Sequence, residues 1–132
     1  MSAKTKLNQI FTGHVETREN HDDPELQTHY YKTTKDRLMK ELVQIAGRMD
    51  RCEIVAESQE RGELSINIHG RKLFYVVATV IMVRPFRTAV DLSVTAKRGM
   101  DFGFGRKAIN TFYKELAKSF EYIGTGENHQ RG

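Results

Sequence analysis

Seven consecutive residues, Asp101-Phe102-Gly103-Phe104-Gly105-Arg106-Lys107, hold the densest chemical potential in the chain. Two glycines stand where an amphipathic run begins, and two cations follow at once. A helix start exposes unpaired backbone N–H groups and carries partial positive charge. Glycines there let a ligand come close to the backbone, so a phosphate or carboxylate suits the place. Lys97 and Arg98, just upstream, add two more cations. The pattern assigns an anion site to Lys97, Arg98, Gly103, Gly105, Arg106 and Lys107. The cations act electrostatically and the two glycines through their N–H groups. This reading needs the bend to be open to solvent. It competes with a plainer one, a tight strand-to-helix turn capped by Asp101. A helix end supplies about 0.3–2 kcal/mol and a charge-assisted bond about 1.5–3. Millimolar binding already takes about 4 kcal/mol, so such a site alone binds weakly. The glycine pair lacks the third glycine of a dinucleotide fingerprint.

Other residue types offer less. His14, His21, His29, His69 and His129 are scattered, and none has the helical i, i+4 spacing of a metalloprotease pair. His21, Asp22, Asp23 and His29 carry ligand atoms, but surface histidines are the plainer account. Cys52 is the only cysteine, so there is no internal disulfide framework or structural-zinc pattern. Arg51 beside it can lower its pKa, yet no histidine is tied to it by spacing. No GxSxG, P-loop or carboxylate pair is present. The chain therefore reads as a binding module rather than an enzyme, with no cofactor and no metal.

Charge supports an anionic partner. Between Arg71 and Lys107 eight cations stand against two acids, so that third carries the basic excess of a chain with net charge +4. An unidentified anionic small molecule or protein is the expected ligand. Nucleic acid ranks lower. The cations are mixed with Phe74, Tyr75, Phe86, Phe102 and Phe104, as on a stacking surface, but Phe74 and Tyr75 sit in an apolar run and no nucleic-acid signature appears.

The elements that must position these residues follow from periodicity. Leu26–Lys32 reads as a short strand. Thr33–Met49 reads as a helix whose apolar residues recur at three- and four-residue steps, opened by a Thr33/Asp36 capping box. Strands follow at 51–57, 63–69, 72–83 and 88–96; Glu63–His69 alternates Leu64, Ile66 and Ile68 with Ser65 and Asn67. A second helix runs over 106–121. The expectation is an α+β, two-layer sandwich: a mainly antiparallel sheet of about five strands with two helices on one face, in the order β-α-β-β-β-β-α. The other face would show Ser65, Asn67, Asp91, Ser93 and Thr95, exposed or covered by the N-terminal arm or by a second copy in a homodimer. Residues 1–24 read as a polar N-terminal arm, 25–123 as a single domain and 124–132 as a disordered tail.

At 132 residues one domain is expected. The longest apolar stretch, Val76–Val83, falls short of the roughly 20 residues of a membrane span, and the first twenty residues lack an apolar signal region. A cytoplasmic protein without membrane contact is the expectation. The segment Asp91–Gly103 with Ile109 and Phe112 downstream, the stretch Asp22-Asp23-Pro24, and Cys52-Glu53-Ile54-Val55-Ala56-Glu57 followed by Arg61-Gly62-Glu63 together resemble a bacterial family of small domains of unknown function, number 1499. The resemblance spans roughly Asp22 to Ile123, with Gly105 and Ala108 standing where the family usually has Asn and Arg. It implies a shared fold and a loop of importance, and no reaction.

Overall fold

The computed structural model describes residues 13–99 and 103–125. Its elements are β1 (His14–Glu16), β2 (His29–Tyr31), α1 (Lys35–Arg48), β3 (Cys52–Ser58), β4 (Glu63–His69), β5 (Leu73–Arg84), β6 (Arg87–Ala96), α2 (Phe104–Ser119) and β7 (Tyr122–Thr125), with one 3-10 turn at Pro24–Leu26.

The capping chemistry of α1 falls one residue later than the sequence suggests. The Thr34 hydroxyl accepts from the Arg37 N–H at 3.3 Å, which satisfies one of the orphan donors of a helix start. Thr33 is buried instead, and its carbonyl accepts a 2.6 Å bond from the Thr88 hydroxyl of β6.

Four strands joined by tight turns form an antiparallel meander, β3-β4-β5-β6. The sheet then continues through β2 to β7. One edge of β6 serves two strands in tandem: β2 pairs with Thr88–Val90, and β1 with Ser93–Thr95. Thr17 fills the gap between them, its N–H donating to the Leu92 carbonyl and its hydroxyl accepting from the Leu92 N–H, each at 2.9 Å.

Both helices bury their stripes in one core. Leu38, Leu42 and Ile45 of α1 and Ile109, Phe112 and Leu116 of α2 meet Leu64, Ile66, Val76, Ala78, Val90, Leu92 and Val94. These strand residues occupy alternate positions, so they share one face. The opposite face carries Ser65, Asn67, Val77, Thr79, Asp91, Ser93 and Thr95, all half-buried.

The α+β class, the antiparallel sheet and the two helices agree with the sequence reading. The strand count does not: seven strands stand among the described residues, against about five expected. The order is β-β-α-β-β-β-β-α-β. One extra strand, β1, lies in the supposed arm, and the other, β7, takes in Gly124 and Thr125 of the supposed tail. Residues 1–12 and 126–132 lie outside the described residues. No helix of the described part is long and apolar enough to cross a membrane.

Candidate functional site

A cationic cleft forms where two turns meet at one end of the sheet. Arg71 and Lys72 lie in the turn between β4 and β5, closed by a 3.0 Å bond from the Gly70 N–H to the Lys72 carbonyl. Lys97 and Arg98 follow β6. Because β5 and β6 are antiparallel neighbours with Phe74 opposite Ala96, the start of one strand adjoins the end of the other. The Lys97 N–H donates to the Leu73 carbonyl at 2.9 Å, and Lys72 Nζ donates to the Arg98 carbonyl at 3.1 Å. Arg71, Lys72, Leu73, Lys97 and Arg98 line a cleft of about 460 Å³. No carboxylate stands among this described lining. Four cations at short range raise the local positive potential, which an anion relieves.

The predicted residues therefore divide. Lys97 and Arg98 reach the cleft. Arg106 does not take the open position that the sequence reading required. Its guanidinium pairs with the buried carboxylate of Asp23 and lies 3.2 Å from a carboxylate oxygen of Glu25. Both acids come from the segment before β2, more than eighty residues away. Gly105 is buried. Gly103 is the N-cap of α2 in a left-handed conformation (φ 85°), offers no side-chain cap, and accepts from the Lys107 N–H at 3.1 Å. Lys107 is exposed at the helix start. Asp101, expected as the cap, lies outside the described residues together with Met100 and Phe102.

Arg71 and Lys72 were not part of the anion site read from the sequence. The signal was present: successive hairpins bring the turn after β4 to the same end as the exit from β6. Using it requires the strand order as well as the strands.

A second polar cluster lies on the face away from the helices, where His14, Glu16, Thr17, Asp91 and Ser93 border a cavity of about 280 Å³. One carboxylate oxygen of Asp91 accepts from Thr17 at 2.8 Å and from Thr28 at 2.6 Å. Burial raises the Asp91 pKa, the two hydroxyls oppose that shift, and Glu19 and Glu16 add to it. The cluster binds β6 to the segments on either side of Thr17 and forms a structural tie. His14 lies between Thr95 and Glu16, 2.7 Å from each.

The remaining reactive types are subdued. Burial raises the Cys52 pKa, so the thiol is protonated rather than nucleophilic. His21 is buried, its pKa lowered chiefly by burial, and its Nδ1 accepts from the Asp23 N–H at 3.0 Å. Among the described residues no three His, Cys, Asp or Glu side chains are placed to hold a metal ion. Comparison with protein-family models, with curated proteins and with solved structures returns no match for this chain.

Proposed function

We propose that the chain is a non-enzymatic module that binds an anionic group, and that the binding surface is the cleft of Arg71, Lys72, Lys97 and Arg98 rather than the start of α2. The observation that carries this reading is the gathering of four cations on one cleft whose described lining holds no acid. None of the ion pairs recorded among the described residues uses Arg71, Lys97 or Arg98, whereas Arg48, Arg106 and Lys118 are each paired with Glu or Asp. The cleft volume suits a small molecule or the anionic end of a larger one. Leu73 and the aliphatic stems of the cations give it an apolar floor. The resemblance to family 1499 belongs with this reading, since it implies a fold and a loop but no reaction.

Titration calorimetry with pyrophosphate and citrate tests it. Binding is expected in the micromolar to millimolar range, weakened at least tenfold in Arg71→Ala/Arg98→Ala with the melting temperature unchanged. Absence of heat with every polyanion overturns the reading. So does equal binding by the double variant.

Exposed Tyr75 favours one other reading, a single-stranded nucleic acid. It lies on the outer face two residues after Leu73 and opposite Thr95, beside the cations, where a base could stack. An oligonucleotide whose affinity falls steeply with salt, and falls again in Tyr75→Ala, would favour that ligand.

A further inference from the structure

At the end of the sheet opposite the cationic cleft, β5 runs on past β4 with an open edge, while β2 still flanks β6 at Thr88–Val90. The last pair between β4 and β5 is Glu63 with Thr79, so β5 continues past it through Arg84 with only β6 for company. On this projection Ile81, Met82, Val83 and Phe86 are 54, 43, 41 and 54% exposed. The apex is Arg84-Pro85-Phe86-Arg87. Phe86 holds φ 57°, a left-handed conformation that is costly for a bulky side chain and cheap for glycine or asparagine. Asparagine or glycine at this position would make a calmer turn and lose the aromatic ring.

Three features say what covers the tip. Ile81 pairs with Ala89 on the outer face, and its neighbour Met82 pairs with Thr88 on the helix side. The apolar groups therefore point to both sides of the ribbon, whereas a flat protein surface covers one side. The patch is small: half-exposed side chains of roughly 200 Å² each give about 400 Å², against the roughly 800 Å² each partner gives to a stable protein interface. Finally, residues 80–90 contain no acid, and Arg84 at the apex is exposed, whereas Arg87 is buried with its guanidinium over the Tyr30 ring. A medium that takes up apolar groups from both faces of a hairpin end and welcomes a cation beside them is the headgroup–acyl boundary of an anionic bilayer.

We propose that the β5–β6 tip docks peripherally on an anionic lipid surface, inserting Phe86, Ile81, Met82 and Val83 into the interface. No spanning segment is needed for such contact. This departs from the sequence expectation of no membrane contact.

Sedimentation of the full chain with sucrose-loaded vesicles tests it, using phosphatidylglycerol/phosphatidylcholine mixtures and pure phosphatidylcholine. Binding is expected to the anionic vesicles. It should fall at least tenfold in Ile81→Asp/Phe86→Asp while circular dichroism and melting stay native, as both side chains are more than half exposed. It should survive in Arg71→Ala/Arg98→Ala. Three results overturn the proposal. One is no binding to either vesicle. Another is binding lost in the cleft variant but kept in the tip variant, which assigns the headgroup to the cleft. The third is a lipid-free dimer by light scattering that the tip variant makes monomeric, which assigns the tip to a second copy.

Discussion

His29 shows how burial turns an ordinary titrating residue into a pH-dependent term in stability. Its ring stacks on Tyr113 at 3.6 Å between nearly parallel planes, with Tyr122 tilted against it. Burial lowers its pKa to about 4, because the charged form loses its hydration. The unfolded chain takes up this proton near pH 6.5, the folded protein only near 4. Between those values the unfolded state binds more protons, so stability falls as the pH falls. The full loss is about 3 kcal/mol. His21, lowered by burial as well, adds in the same direction. Asp91 opposes them: its raised pKa lets the native state keep a proton that the unfolded chain sheds, so acidification there restores stability. His29→Phe preserves the stack and should remove most of the slope between pH 6.5 and 4 in denaturant titrations. An unchanged slope would show that other groups govern it. Periodicity could place His29 in a strand, but its neutrality depends on Tyr113, from a helix more than eighty residues later.

Among the elements, legibility tracked length and alternation. The β3–β6 meander and both helices carry periods long enough to count, and their observed ends lie within about two residues of those read from the sequence. The two short edge strands have no period to count. In β1 only Val15 is buried, and β7 includes Gly124. Their pairing is imposed by β6 and β2, which leave backbone groups needing partners. Two glycines at element ends make opposite predictions. Gly47 lies in the last turn of α1, exposed, with no heavy atom within 4 Å of where a Cβ would sit. Gly47→Ala should stabilise the protein by about 0.5–1 kcal/mol and raise the melting temperature by roughly 2–5 °C. Gly62 closes the β3–β4 turn at φ 69°, where a Cβ would run into the Val80 carbonyl oxygen, and its own carbonyl accepts the Val80 N–H at 2.7 Å. Gly62→Ala should lower the melting temperature, by more than Gly47→Ala raises it. Thermal melts of the two variants beside the parent decide both signs.

At the scale of the whole molecule, the tie that matters most was hidden from the sequence. Arg106 sits at a helix entrance, and local spacing presents it as a free cation. The fold brings it to Asp23, whose carboxylate is buried and also accepts from the Glu25 N–H at 3.0 Å. That carboxylate clasps the segment between β1 and β2 to α2, and Leu26 beside it enters the same core as Ile109 and Phe112. Removing one partner of a buried ion pair costs about 3–5 kcal/mol. Arg106 keeps Glu25 and some solvent, so Asp23→Asn should cost less, about 2 kcal/mol. Because the clasped segment shares the core, the loss should be global rather than a local fraying. The slowest-exchanging amides of β6 and α2 should then all speed up by a common factor of about thirty. Acceleration confined to residues 17–28 would show instead that the N-terminal segment opens independently. Polyanion binding at the Arg71–Arg98 cleft should persist in the variant under conditions where it remains folded, since the cleft lies on different turns. Loss of both together would mean that the anion site extends to Arg106 after all.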